Sequence, residues 1–585
     1  MHYESQLASS SSSYTLRNFI SMEQLEFTLW SALVGWLGLL VVWHLRKGRT
    51  GPQLPPGPRG LPVLGSLHLV GELPHRDFTK LADKYGPIVH LKLGFVHTIV
   101  VSSPEFAEEV LRRQDENFST RFTSPKIEEL TFDGFHEVVY AEAGPYHKYL
   151  KRILKEEMVS LRAQMRFKDS RRVSLMETIQ SLHKKSKDGK PVVIVEDLME
   201  CLQMTICRLM FHNITNLVRE FIPVSRELMF LASAADPGDF MPWLGRLDLF
   251  GYNKRARRII ERLDRCMQSV IDEHRDRIKS TGVNQMADIV DICLSLQDQD
   301  GKGPLPDGPI KGIMADMMIG GSETSAISSE WALMELLRNP HILQKVKDEI
   351  ASVVGTERFV EESDLPKLTY LQQMLMESSR LHVIAPVLIP RECVRDTTIG
   401  GYHIPAKSRI FVNVFKIHKD PSVWENPLEF NPDRFSQSNL HNKRYDFLPF
   451  GSGRRGCPGM DLGNLFVMSL MAQLLHCFDV ELPEGQRIED IDTTEVFGLS
   501  CPMKVPLRVV LKPRLPSHLY DGIQSSEAFC ASSDFLYSVM GLDLSIGASV
   551  LETINLSSTC MVYIASYPQS WATQGGSVPI TEHRK

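Results

Sequence analysis

The chain has 585 residues, 43% of them apolar, so it can bury a large core, and length alone would allow roughly two to four domains. With 65 basic against 71 acidic residues it carries a net charge of −6 and no long basic tract, which leaves nothing to favour nucleic acid. Its ten cysteines lack C-x-x-C pairs or regular spacing, against both a zinc site and a disulfide framework and in keeping with a reducing compartment.

Residues 1–26 form a Ser-rich extension expected to be disordered, within which Met22 is a candidate functional start. Phe27 to Trp43 is then a run of seventeen residues without a charge, at the short end of what spans a bilayer. Glu23 and Glu26 precede the run and Arg46, Lys47 and Arg49 follow it, so the positive-inside rule keeps the rest of the chain cytoplasmic. A cleaved signal peptide competes with this reading. The basic residues lie on the wrong side for one, no small-residue cleavage site follows, and Trp30, Trp36 and Trp43 suit a retained anchor over 27–45. Residues 46–60 are basic and proline-rich; Leu54-Pro-Pro-Gly-Pro-Arg-Gly60 cannot continue a helix and predicts a semi-rigid spacer.

Further along, apolar residues at three- and four-residue spacing predict helices over 194–212, 253–282, 309–338, 340–354 and 365–381, and alternating or β-branched runs predict strands at 88–102, 399–413 and 504–512. The architecture is therefore mainly α with a smaller β region, without internal repeats. Lys148, Lys151, Arg152 and Lys155 recur at helical spacing as one basic face, which is by default solvated. The stretch Asp239 to Leu247 is apolar for a loop; it either packs or dips into a membrane. The longest helix candidate begins near Pro309, with Asp307 or Gly308 as its cap, and stops before Pro340. Its centre reads Gly320-Gly321-Ser322-Glu323-Thr324-Ser325, and two interior glycines cost about 1 kcal/mol each against alanine, so some local purpose offsets them. One such purpose is close helix packing, with Thr324 bonding back to the Gly320 carbonyl. Glu377 and Arg380 stand three apart, where opposite charges on one helix face can pair.

The most informative segment is Phe450-Gly-Ser-Gly-Arg-Arg-Gly-Cys457-Pro-Gly459, followed by an apolar stretch from Met460 to Phe478 that predicts a buried helix. Arg455, loop N–H groups and the helix N-terminus can keep a Cys457 thiolate ionised. Gly453, Gly456 and Gly459 leave room for a bulky planar group, against which Phe450 can pack. This layout suits a thiolate ligand to a haem; a buried inert cysteine leaves the crowding of arginine and glycines unexplained.

Phe450, Gly453, Arg455, Cys457 and Gly459 resemble, at every fixed position, the haem-binding signature Phe-x-x-Gly-x-Arg-x-Cys-x-Gly of cytochrome P450 monooxygenases. Resemblance extends to about His518 and implies one haem-thiolate monooxygenase domain over 61–518, with a tail at 519–585 in which no chemistry is legible. It implies haem b bound through Cys457, and dioxygen activated beside Gly320 and Gly321, where Thr324 hydrogen-bonds the oxygen and Glu323 relays protons. Glu377, Arg380 and Arg434, the last in Phe430-Asn-Pro-Asp-Arg-Phe435, resemble a buried structural network behind the haem. Arg391 and Arg455 stand where two propionate partners are placed. In the third such position, His147 replaces the usual tryptophan and Lys151 the usual arginine, implying a point-charge contact in place of a bidentate one.

By the same resemblance Met317, Ile319, Gly320 and Gly321 on the long helix face the substrate, together with Val383, Val387 and Leu388 and a late turn carrying Phe497 and Leu499. These are mostly apolar, so a hydrophobic substrate of fatty-acid or phenylpropanoid/flavonoid type is expected. Further implications are electrons from NADPH through a flavoprotein reductase docking near the basic face, and a single-pass endoplasmic reticulum anchor of plant microsomal type. Relatives that rearrange or dehydrate hydroperoxides share the cysteine loop but typically depart from the threonine pattern, so Thr324 favours the monooxygenase. A non-enzymatic membrane haem protein is the remaining alternative.

Overall fold

The computed structural model describes residues 52–521 apart from 133, 212–223, 225–226, 283–287 and 437–444, together with Ser31, Gly35 and Ile523. The expected extension, the anchor over 27–45 and nearly all of the 519–585 tail lie outside the described residues. Among the described residues, no helix is long and apolar enough to cross a membrane. The proline-rich spacer is docked from residue 53 onward: the His403 N–H donates to the Gln53 carbonyl and the His90 N–H to that of Pro56, both at 2.8 Å.

The helices that frame the molecule are α1 (Pro74–Tyr85), α2 (Pro145–Ile153), α3 (Lys168–Lys187), α4 (Ile194–Phe211), α5 (Tyr252–Thr281), α6 (Asp307–Gly321), α7 (Glu323–Arg338), α8 (Pro340–Val354), α9 (Thr369–Leu381) and α10 (Met460–Cys477). Strands are short. The main sheet has the order β1-β2-β7-β4, with β1 (Ile88–Leu93) and β2 (Val96–Val101) forming a hairpin, β7 (Arg409–Val412) parallel to β2, and β4 (Arg391–Glu392) antiparallel to β7. Smaller sheets join β3 (Val192–Val193), β9 (Arg508–Pro513) and β8 (Phe478–Glu481), and β5 (Thr397–Ile399) with β6 (Tyr402–Ile404). The strand expected over 399–413 is thus three pieces in two sheets, because Gly400 and Gly401, both at positive φ, turn the chain sharply between β5 and β6.

The principal core lies where α4, α7 and α10 meet: Trp331, Leu333 and Leu336 pack with Leu202, Met210, Leu474 and Leu475, all at most 2% exposed. Each large apolar side chain buried there contributes about 1.5–3 kcal/mol. Two sequence expectations are corrected in this region. The segment 309–338 is not one helix but breaks at Ser322 (φ −97°, ψ −65°), so that α5, at 30 residues, is the longest described helix. Here Ser322 Oγ donates to the Met318 carbonyl at 3.0 Å and Thr324 Oγ1 to that of Gly320 at 2.8 Å, side-chain bonds that compete with the backbone ladder. At the start of α6, Asp307 does not cap: Pro306 holds the N-cap, and Asp307 pairs with Arg275, Nη1 to Oδ2 2.9 Å.

Candidate active site

The cysteine loop is shaped by its own backbone. The Cys457 N–H donates to the Phe450 carbonyl at 2.9 Å and the Gly456 N–H to that of Gly453 at 3.0 Å, closing a turn that leads into α10. Gly453 sits at φ +75°, and a Cβ there would overlap the Leu111 carbonyl oxygen, so only glycine fits. Cys457 is exposed, yet enough protein surrounds its sulfur that desolvation raises the thiol above its ordinary value, while the Gly459 N–H and Lys151 act to lower it. Phe450 is half-buried beside Gly463: a Cβ at Gly463 would lie 3.7 Å from the Phe450 ring and 4.0 Å from Ser325 Oγ. The loop, the first turn of α10 and the α6–α7 break are therefore neighbours.

Around the loop gather cations from distant segments. Arg455 donates to backbone carbonyls, Nε to Ser119 at 2.6 Å and Nη1 to Val138 at 2.9 Å. Lys151 Nζ donates to the carbonyls of Arg454 at 2.6 Å and Gly456 at 2.8 Å. It thereby leaves the expected basic face, whose exposed members are Lys148 and Arg152 on α2 and Lys155 in the π-helical turn after it. Arg391, on β4, is 3% exposed, and its Nη1 has no hydrogen-bond acceptor, the nearest carboxylate being Asp115 at 3.6 Å. Sequence reasoning missed two members of this cluster. Arg121 is 8% exposed and bonds the carbonyls of Ile389 and Pro390; burial and then repulsion from Arg391 and Arg455 pull its pKa well down. Asp115 also takes the Arg454 side chain at 3.1 Å. Neither lies in a periodic or motif-like segment, so no local signal marks it.

His147 is buried among these groups and held neutral, its pKa pushed down to about 3 by burial and by Arg455, Lys151 and Arg121. Burial, with Arg391 adding repulsion, likewise lowers Arg455 to about 10, and burial lowers Arg391 to about 10. So much mutually repelling charge, two of its cations buried and Arg391 with an unfilled donor, calls for an anion. A haem with two propionates, ligated through one thiolate, fits the donors and charges present.

Opposite the loop, the two glycines have different surroundings. A Cβ on Gly320 would meet nothing within 4 Å, whereas one on Gly321 would come 2.8 Å from Ile206 Cδ1 of α4. Gly320 thus faces open space and Gly321 permits helix packing. Thr324 makes the back-bond to Gly320 described above, and Glu323 Oε1 accepts from Ser500 Oγ at 3.3 Å.

A cavity of about 140 Å³ adjoins this region, and of the nine expected substrate-facing residues Val387, Leu388, Phe497 and Leu499 line it. Leu388, at φ +52°, also comes 3.5 Å from a Cβ built on Gly451 of the cysteine loop. Met317 and Val383 do not line the cavity: they are 7% and 5% exposed within core clusters, because their helical and strand-side neighbours enclose them. Ile319 packs against the same core as Met317, and Gly320 and Gly321 are likewise absent from the cavity wall. Behind the loop, buried Glu377 and Arg380 come together with half-buried Arg434: Arg380 Nε to Glu377 Oε2 2.7 Å, Nη2 to Oε1 2.8 Å, and Arg434 Nε to Oε1 3.2 Å. Arg380 also ties down the carbonyls of His418 and Pro427 at 2.8 and 2.7 Å.

Helical folding around a lone loop thiol and a cation cluster defines a haem-thiolate class of protein. Residues 55–506 match the family described as Cytochrome P450. Among curated proteins the chain is similar to Cytochrome P450 703A2 of Arabidopsis thaliana, 36% identical over 499 residues (82% of this chain, 97% of the relative). It is also similar to Cytochrome P450 CYP736A12 of Panax ginseng, 38% identical over 500 residues (84% and 99%), and to Flavonoid 3'-monooxygenase CYP75B137 of Crocosmia x crocosmiiflora, 35% identical over 513 residues (84% and 99%). A solved zebra fish cytochrome P450 with abiraterone superposes with a TM-score of 0.63 at 25% identity, covering 75% of this chain and 99% of the other. The chain belongs to the cytochrome P450 family, with plant members among its relatives, and is an oxidoreductase of the monooxygenase type.

Proposed function

We propose that the protein inserts one oxygen atom of O2 into a hydrophobic small molecule, with electrons from NADPH through a flavoprotein reductase, the other oxygen leaving as water. The observation that carries this is the exposed Cys457 thiol beside buried Arg121 and Arg391 and half-buried Arg455 and Lys151. When bound, haem b supplies the one-electron and dioxygen chemistry. Cys457 ligates it, steadied as thiolate by the Gly459 N–H and Lys151. Arg391, with its unfilled Nη1, and Arg455 and Arg121 take the propionates, while neutral His147 packs beside them.

Thr324 donates its hydroxyl proton to the Gly320 carbonyl, which leaves its lone pairs free to hold a water beside the open space at Gly320, and Glu323, hydrogen-bonded to Ser500, would pass protons toward that water. Glu377, Arg380 and Arg434 hold the segment behind the cysteine loop in register. Val387, Leu388, Phe497 and Leu499 exclude water and orient the apolar substrate. A fatty-acid or phenylpropanoid/flavonoid substrate agrees with this apolar wall, and the flavonoid alternative with the flavonoid 3'-monooxygenase activity named for the Crocosmia relative.

We assign the anchor to 27–45, the hinge to 46–60 and the catalytic domain to 61–518, with the enzyme held on the cytoplasmic face of the endoplasmic reticulum. Exposed apolar side chains support a membrane-facing side: Leu61 and Val63, Phe95 on the β1–β2 turn, and Trp243 and Leu247 beyond Phe240, whose carbonyl accepts from the Phe95 N–H at 3.0 Å. Exposed Lys148, Arg152 and Lys155 offer the reductase an electropositive surface. The reduced, carbon monoxide-treated protein is the test. A long-wavelength Soret band establishes thiolate ligation, and its absence from folded, haem-loaded protein overturns the reading.

A further inference from the structure

One end of the cavity carries charge that monooxygenation does not use. Arg409 and Phe411 stand two apart on β7, so their side chains share the face turned to the cavity, and both line it. Lys126, from the short helix Pro125–Glu129, lines the same end. Both cations are more than nine-tenths buried, Arg409 at 6% and Lys126 at 2% exposed. Arg409 Nη2 donates to the Asp239 carbonyl at 2.8 Å and its guanidinium lies 3.8 Å from the centre of the Phe122 ring, but its Nε has no partner. Lys126 Nζ donates to the Ala234 carbonyl and to Asp239 Oδ2 at 3.2 Å, and Asp239 Oδ1 has no partner either. Glu392, across the strand pair from Arg409, is 3.7 Å from Lys407.

The hydrogen bonding at this end does not close within the protein. Arg121, Lys126 and Arg409 line the cavity against Asp239 alone. Arg121 belongs to the cluster assigned to the propionates; Asp236, buried and accepting from the Gly238 N–H, stands behind Lys126, and Glu392 lies across the strand pair from Arg409, so the group left unmet on the cavity wall is the Arg409 Nε donor. Buried cations with an unfilled donor are costly unless an acceptor arrives, and guanidinium is the side chain best suited to receive a carboxylate.

We propose that this end of the cavity recognises a carboxylate, and that the substrate is an apolar acid. Its carboxylate accepts from Arg409 Nε beside Lys126, and its apolar body lies along Phe497 and Leu499 toward Leu388, which adjoins the cysteine loop. This rests on the cavity being the substrate site and narrows the substrate class within that reading. It makes Arg409 a specificity determinant rather than a staple between β7 and the segment around Asp239.

The test is equilibrium dialysis of the full-length protein in detergent against labelled dodecanoate and cinnamate, each compared with its methyl ester at neutral pH. In wild type at least one acid binds about tenfold or more tighter than its ester, the size of one charge-assisted hydrogen bond. R409Q abolishes that preference with ester binding unchanged, R409K retains part of it, and K126Q reduces it. Equal binding of acid and ester in both pairs overturns the proposal, as does an R409Q variant that weakens acid and ester by the same factor. Should R409Q not fold, the wild-type comparison and K126Q decide. Dialysis does not depend on the iron, so a carbon monoxide spectrum on the same samples separates the two readings: loss of the long-wavelength band in wild type breaks the haem-thiolate assignment, while the acid–ester ratio still decides this one.

Discussion

In the cysteine loop the backbone-to-backbone hydrogen bonds run between residues no more than seven apart, such as Cys457 to Phe450, whereas the cavity wall is drawn from residues as distant as Val70 and Leu499. The first is local: a turn, a glycine at positive φ and a following helix place the sulfur wherever the loop goes. The second exists only once α1, the main sheet, the 234–240 segment and the late turn have met. A ligand position can therefore be encoded in ten residues, while a substrate shape is a property of the whole fold. That difference sets the order in which damage at each region should register.

The largest effect belongs to the loop. Cys457→Ala is expected to lose the long-wavelength carbon monoxide band and all NADPH-dependent turnover while keeping its helical circular dichroism. Retention of a normal band would break the comparison at its root. Next comes the network behind the loop, where Glu377 and Arg380 side chains are fully buried. Glu377→Ala strands two arginines without their carboxylate and is expected to cost about 3–5 kcal/mol, read as a lowered unfolding midpoint and poor haem retention. Glu377→Asp, keeping the charge, should recover part of both.

How much of this was legible in the sequence follows the same division. Cys457, Phe450 and the glycines are adjacent in sequence and in space, and Glu377 and Arg380 share one helix face. Arg121 and Asp115 were invisible because their role arises from meeting Arg391, Arg454 and Arg455, which come from far along the chain. Met317 and Val383 are apolar residues in plausible positions that folding turned into core. The break at Ser322 escaped the periodic pattern because α6 and α7 carry compatible apolar spacing on either side of it. Only the side-chain bonds of Ser322 and Thr324 interrupt the ladder.

Thr324 sharpens the comparison from the opposite side of the site. Thr324→Val keeps the shape and removes the hydroxyl, so the carbon monoxide band and substrate binding should survive. Product formed per NADPH consumed should fall, by roughly a hundredfold if proton delivery depends on that hydroxyl alone. A smaller contrast lies among the glycines. Gly453→Ala forces a Cβ into the Leu111 carbonyl at a strained φ and should cost about 1–3 kcal/mol with loss of haem. Gly320→Ala meets open space and should gain up to about 1 kcal/mol in stability while altering turnover. If the two substitutions proved equally damaging, Gly320 would not face open space.

The smallest expected effect tests how the cavity side is pinned. The late turn that brings Phe497 and Leu499 to the cavity is fastened through Glu495, whose Oε1 accepts from His75 Nε2 and Arg76 Nε of α1, both at 2.7 Å. Burial alone would raise the Glu495 carboxyl, but the hydrogen bonds and charges of His75 and Arg76 outweigh it and hold the pKa down to about 2, against an ordinary 4.5. Because the folded value lies below the unfolded one, the carboxylate contributes stability above about pH 4.5, and that contribution drains away as pH falls toward 2. Glu495→Gln cannot titrate, so its unfolding midpoint should be lower than wild type at neutral pH and should converge with it on acidification between those limits. At neutral pH the variant should bind substrate a few-fold more weakly, because the fastening it loses lies behind the turn and not on the cavity wall, with the carbon monoxide band unchanged. A variant that lost the band together with binding would mean that the late turn supports the cysteine loop as well, and the two regions would no longer be separable.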